Sequence, residues 1–224
     1  MNQDMVFHKS EGNSWFQRNK SVLEKEGKVD WPTYLLNLLD NKSEIRSIAE
    51  LGCTNGWRLY QLSKKIIGAK LVGVDASLEA IEDGRKRYPE LEMHQGLLSQ
   101  LPIQDEFDIV IVNFVLHWVD RETLIKSDAE IDRVTKDGAF LILGDFLPDC
   151  QQRRRYHHLP NERVYTYKQD YARIFESFGT YKEFTRFTYD HDNVEQNSIK
   201  PCSSSSRAFC SILHKSLEGY YQEV

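Results

Sequence analysis

The stretch Ser47-Ile48-Ala49-Glu50-Leu51-Gly52-Cys53-Thr54-Asn55-Gly56 decides the fold. Its first five residues form a short apolar run that enters a glycine-containing turn. From Gly56 to Ile67 the chain then carries Leu59, Leu62 and Ile66 at helical spacing. Strand, glycine turn and helix in succession let a ligand approach the backbone closely, since glycine lacks the side chain that would block it. Outward from this unit, Leu71-Val72-Gly73-Val74 is a second strand ended by Asp75. Ser77 opens a helix with Ala80, Ile81 and Gly84 inward, and Leu91 to Gln95 is a third strand. Within Phe107–Phe114 the run Ile109-Val110-Ile111-Val112 is apolar on both faces, the mark of a parallel strand covered by helices. Glu122 to Val134 is a helix and Gly138 to Phe146 a fifth strand. This alternation predicts a doubly wound α/β sheet that binds ligands outside the carboxyl ends of its strands. Asp75, at such an end, is placed to accept hydrogen bonds from a ribose.

The flanks read differently. Ser10 to Asp40 is expected to be helical, with Asp30 a cap and Pro32 in a first turn. Beyond Phe146 the rhythm breaks at Pro148, Pro160, the run Arg153 to Arg155 and the pair His157-His158. Lys168 to Ser177 is expected as an amphipathic helix. Glu183 to Asp190 and Arg207 to His214 read as two late strands joined by a connection that includes Ser203 to Ser206. A single domain is expected: a helical lid at 1–40, a binding core at 41–146, and an acceptor-side loop, helix and strands at 147–224.

Composition narrows the function. The 224 residues carry 29 Lys+Arg against 34 Asp+Glu, a net charge of −5, with 40% hydrophobic residues. This suits a packed domain and argues against a bulk electrostatic grip on nucleic acid. No stretch reaches the roughly 18 apolar residues that span a bilayer, and Met1 to Met5 lacks the pattern of a secretion signal. Cys53, Cys150, Cys202 and Cys210 form no C-x-x-C pair, so neither a disulfide framework nor a metal site is expected. A reduced, cytoplasmic protein is the simplest expectation.

The glycine spacing, at 52 and 56, departs from the G-x-G-x-x-G of a pyrophosphate site. Glu50-x-Gly52-x-Thr54-x-Gly56 instead resembles the first motif of the class I S-adenosylmethionine-dependent methyltransferases, with Thr54 in place of the middle glycine. Thr54 adds a Cβ, so the loop is expected to avoid positive φ there. The resemblance continues through Val72 to Ser77, Gln95-Gly96-Leu97-Leu98, Phe107 to Asn113 with Leu116-His117-Trp118, and Lys136 to Leu141. The flanking Glu11-Gly12-Asn13-x-Trp15-Phe16-x-Arg18 and Tyr156-His157-His158 segments resemble small bacterial methyltransferases associated with surface-polysaccharide or sugar biosynthesis.

This resemblance implies a Rossmann-like, mostly parallel seven-stranded sheet of order 3-2-1-4-5-7-6. It implies S-adenosyl-L-methionine as cofactor and S-adenosyl-L-homocysteine as product. The residues it places at the cofactor are Glu50, Gly52, Cys53, Thr54, Asn55, Gly56, Asp75, Ala76, Gly96, Leu97, Leu98 and Asn113. Trp15 and Phe16 would form an aromatic lid over the cofactor and Arg18 would pair with its methionyl carboxylate. Leu97 cannot accept from an adenine amino group, which leaves that contact to backbone or a neighbour. For a hydroxyl acceptor, His117, His157 and His158 are the candidate bases. The expected partner is a small molecule, anionic or sugar-like, with the arginine run a candidate for attracting it. A nucleic-acid or protein methyltransferase, a non-catalytic cofactor-binding protein and a nicotinamide dehydrogenase are the competing readings.

Overall fold

The computed structural model describes residues 2–23, 29–40, 42–192, 203–221 and 223–224. Strands β1 (Ser47–Leu51), β2 (Lys70–Asp75), β3 (Glu92–Gln95), β4 (Phe107–Asn113) and β5 (Thr135–Phe146) pair in parallel. A separate hairpin holds β6 (Gln152–Arg155) and β7 (Tyr165–Lys168); β9 (Arg207–Lys215) joins the main sheet antiparallel to β5, and β8 (Tyr181–Asp190) pairs antiparallel with β9 at the edge. The seven-stranded sheet runs β3-β2-β1-β4-β5-β9-β8, which is the 3-2-1-4-5-7-6 order counted over its own members.

Alternation along β4 explains why this sheet is covered twice. Ile109 and Ile111 join a core with Leu35, Leu59, Ile81 and Ile212, whereas Val110 and Val112 join one with Ile131, Val134, Tyr171 and Phe175. The first layer comes from α3 (Trp31–Leu38), α4 (Trp57–Ser63) and α5 (Leu78–Arg87); the second from α6 (Leu124–Val134) and α7 (Ala172–Ser177). Burying each such side chain contributes roughly 1.5–3 kcal/mol. Short-range signals set the helix starts: the Asp30 carboxylate accepts from Thr33 N at 3.2 Å and Ser77 Oγ from Ala80 N at 3.1 Å.

Ahead of α3, α1 (Gln3–Val6) passes through a wide turn at Phe7–Glu11 into α2 (Gly12–Leu23). Buried Gln3 and Asp4 fasten this lid to the loop after β4. Gln3 Nε2 donates to Trp118 O at 2.5 Å and to Tyr165 O at 2.7 Å, and Asp4 accepts from Asp120 N at 2.7 Å. Where α2 begins, Gly12 rests on the cap of α5. A Cβ there would meet Phe7 O at 2.8 Å and Ser77 N at 3.2 Å. Ser77 Oγ also donates to Asn13 Oδ1 at 2.8 Å.

Two expectations change. The helix expected over Lys168–Ser177 is confined to Ala172–Ser177, and Tyr165–Lys168 is strand β7, paired with the arginine run. The period-2 alternation of Tyr165-Thr166-Tyr167 satisfies a ladder, while β6 is too polar to announce itself as a strand. The helical reading of 10–40 resolves into α2 and α3, with 24–28 outside the described residues. Cys202 and most of the connection between the late strands also lie outside them. No helix among the described residues is long and apolar enough to cross a membrane.

Candidate functional site

The loop leaving β1 bends over the carboxyl end of β2. Gly52 N and Cys53 N both donate to Val74 O, at 2.7 and 3.0 Å. Gly52 has φ +82°, and a Cβ there would overlap the Val115 side chain. Thr54 does adopt positive φ, +52°, contrary to the expectation from its Cβ. A β-branched residue in this region costs on the order of 1–2 kcal/mol. Two bonds hold it there: its N–H donates to Asp75 Oδ2 at 2.8 Å and its hydroxyl to Cys53 O at 2.7 Å. Asp75 Oδ1 accepts from Ser77 N at 2.8 Å. Asp75 is thereby pinned between two turns with lone pairs to spare on both oxygens. Burial raises its pKa against the pull of those backbone N–H groups.

Beneath the loop lies a cluster of two acids and one base. Arg58, on the first turn of α4, hydrogen-bonds Glu50 through Nη1 and Asp30 through Nε at 2.9 Å. Burial works against each charge. Arg58 nevertheless keeps the Asp30 carboxyl below its ordinary range, and the two acids raise the Arg58 pKa. Glu50, 1% exposed, is pushed by burial up to about 7, with Arg58 opposing and Asp30 and Asp75 adding to the rise. Its Oε2 has no partner. One guanidinium shared by two acids leaves Glu50 incompletely satisfied, and Glu50 and Arg58 both line the adjoining cavity.

That cavity, about 310 Å³, opens at the carboxyl ends of β1, β2 and β4, within the size range of small-molecule sites. Of the residues expected at the cofactor, Trp15, Glu50, Gly52, Thr54, Asp75, Ala76, Gly96, Leu97, Leu98 and Asn113 line it. Cys53, Asn55 and Gly56 shape the loop from behind. Cys53 is fully buried, Asn55 Nδ2 donates to Asp83 Oδ2 at 2.8 Å, and Gly56 turns into α4 at φ +75°. Arg18 is not among the lining residues: its guanidinium bonds Glu11 and, at 2.6 Å, the Tyr156 hydroxyl.

The three candidate bases also sit off the wall. His117, 3% exposed, holds Asp145 through Nδ1 at 2.9 Å. His157 and His158 are exposed in the loop between β6 and β7, edge-on to Tyr156. The histidine that lines the cavity is His191, just past β8, beside Phe114 at φ +57°. His191 carries no local sequence signal. Arg58 does: it is a charged residue beside inward-facing Leu59. Phe7 and Trp118, whose ring centroids are 5.0 Å apart, complete the apolar side.

Residues 49–143 match the family model described as a methyltransferase domain. The central part of the chain is therefore methyltransferase-like in sequence as well as in fold. It is 27% identical over 117 residues to a malonyl-[acyl-carrier protein] O-methyltransferase of Halalkalibacterium halodurans, covering 49% of this chain and 42% of that protein. It is 37% identical over 75 residues to a demethylmenaquinone methyltransferase of Chlorobaculum parvum, covering 33% and 30%. The chain spans less than half the length of these curated relatives. Among solved structures, the fold superposes on the Burkholderia thailandensis 1,6-didemethyltoxoflavin-N1-methyltransferase, solved with bound 1,6-didemethyltoxoflavin and S-adenosylhomocysteine. The TM-score is 0.69 at 13% identity, over 95% of this chain and 88% of that one. It also superposes on the N-methyltransferase NodS of Bradyrhizobium japonicum in complex with S-adenosylhomocysteine. There the TM-score is 0.58 at 15% identity, over 89% and 97%.

Proposed function

We propose that the protein is an S-adenosylmethionine-dependent methyltransferase that modifies a small-molecule acceptor. The observation that carries this reading is a pair of incompletely satisfied carboxyl groups in the cavity wall. Glu50 Oε2 is buried without a partner, and Asp75 keeps free lone pairs one strand away. S-adenosylmethionine brings a sulfonium, an ammonium and two ribose hydroxyls, and so fits such a pair of carboxylates. Asp75 accepts from the ribose, Glu50 faces the cationic methionyl end, and the Gly96-Leu97-Leu98 turn packs on the adenine. Trp15 closes the lid side. Arg18 would have to leave Glu11 and Tyr156 to reach a methionyl carboxylate.

Methyl transfer from a sulfonium is an in-line displacement, so the protein's task is to align the acceptor and exclude water. The aromatic wall of Phe7, Phe114 and Trp118 suits that task for a small acceptor. A sugar or surface-polysaccharide acceptor rests on the flanking motifs alone, and the arginine run that motivated an anionic one is exposed on β6. Calorimetry with S-adenosylhomocysteine tests the cofactor half. Binding by the intact chain, weakened in Asp75→Ala, is the expected outcome. A folded protein that gives no heat at micromolar concentration would sink the reading. Transfer of labelled methyl from S-adenosylmethionine to a small-molecule pool tests the rest.

A further inference from the structure

Resting on the methyltransferase reading, the far wall of the cavity narrows the acceptor. Phe114, Phe146 and His191 form a triangle of rings with centroids 4.9 to 5.1 Å apart, and Phe114 and His191 line the cavity. Behind them stands Lys168, at the end of β7. It is only 9% exposed, and its Nζ lies 3.4 Å from the Phe146 ring centroid. No carboxylate or hydrogen-bond acceptor among the described residues pairs with it. The stem is covered, and the face of the Phe146 ring is the contact the structure gives its ammonium.

The charges facing Lys168 are Arg154 on β6, Asp145 on β5 and Asp192 beyond β8. Asp145 is already committed to His117 and to Phe146 N, the latter at 2.7 Å. Asp192 is taken up by His191, whose Nδ1 lies 3.1 Å from Asp192 Oδ1. With Nδ1–H donating to that carboxylate, Nε2 is the ring nitrogen left to accept. Phe114, Phe146 and Ser206 O surround His191 without adding charge, the last accepting from His191 N at 2.8 Å.

We propose that this wall is an acceptor subsite for a planar, unsaturated molecule bearing an acidic hydroxyl, such as a phenol or enol, with His191 as the catalytic base and Lys168 the charge that favours its oxyanion. The hydroxyl proton passes to His191 Nε2 as the oxygen–methyl bond forms. The methyl–sulfur bond breaks, its electron pair stays on sulfur, and a neutral thioether leaves. Aromatic walls favour planar partners through stacked and edge contacts. A cation behind the wall has most to offer an acceptor that ionises near neutrality, which a saturated sugar alcohol does not.

The test uses the full chain saturated with S-adenosylhomocysteine and 4-nitrophenol as probe, because its phenolate and phenol absorb at different wavelengths. Bound probe is expected to ionise about one to two pH units below free probe, the size of shift a neighbouring opposite charge produces. Lys168→Met and His191→Gln should each lose most of that shift, and Lys168→Arg should retain it. Calorimetry on the same samples should show unchanged S-adenosylhomocysteine affinity. Absence of a phenolate shift in the wild type, or an equal shift in both variants, overturns the subsite while leaving the methyltransferase reading intact. Loss of S-adenosylhomocysteine binding by the wild type overturns both.

Discussion

The two ends of the cavity are built by different means. The end under the β1 loop relies on backbone: paired N–H groups on Val74 O, left-handed residues at Gly52 and Thr54, and an Asp75 carboxylate gripped by two main-chain donors. The end at Phe114 and His191 relies on side chains from segments far apart in the chain, stacked edge to edge. Backbone geometry suits a ligand that never changes, and side-chain walls suit one that differs from protein to protein. The contrast makes the first end sensitive to charge balance and conformation, and the second to chemistry at single side chains.

Arg58→Met should disturb the first end most, because it strands Asp30 and Glu50 as buried acids. A loss of about 3–5 kcal/mol in urea unfolding at pH 8 is expected, shrinking toward pH 5 as the acids take up protons. Asp75→Ala removes a charged acceptor and leaves the Thr54 and Ser77 N–H groups unpaired. The expected cost to S-adenosylhomocysteine binding is about 1.5–3 kcal/mol, roughly 10- to 100-fold in calorimetric Kd.

A pH series separates buried acids that serve the site from those that do not. Glu50 and Asp128 are both pushed by burial up to about 7, but only Glu50 lines the cavity. Between the ordinary carboxyl range and about pH 7 the folded chain therefore holds protons the unfolded chain has released, so stability falls as pH rises. Asp128→Asn should flatten that fall without touching cofactor affinity. A cationic cofactor end favours ionised Glu50, so S-adenosylhomocysteine affinity should rise from pH 6 to 8 with proton release, and Glu50→Gln should lose the slope. The smallest effect belongs to Thr54→Gly. Relief of positive φ is expected to offset the lost hydroxyl bond and glycine's greater chain freedom, leaving unfolding within about 1 kcal/mol of the wild type.

The first end was legible because local rules write it: a glycine turn, an acid closing a strand, a serine cap. Those rules misjudged Thr54, since the bonds that hold its positive φ come from Asp75 and Cys53 and no propensity contains them. The second end was largely illegible. Lys168 reads as the start of a helix until its pairing with Gln152 is known. His191 gains meaning only when Phe114 and Phe146 arrive beside it. Arg58 is marked in the sequence only by its place beside inward-facing Leu59; its two partners, on α3's cap and on β1, come from the fold.

Gly12 shows what the seam between lid and core entails. Its bare Cα presses on the residue that starts α5, two positions after the carboxylate proposed to greet the ribose. The proposed ribose contact and the start of the covering helix thus meet at one point of backbone contact, with no intervening linkage to absorb slack. A bulkier residue at position 12 would act as a doorstop, holding the mouth ajar and letting bulk solvent reach the sulfur.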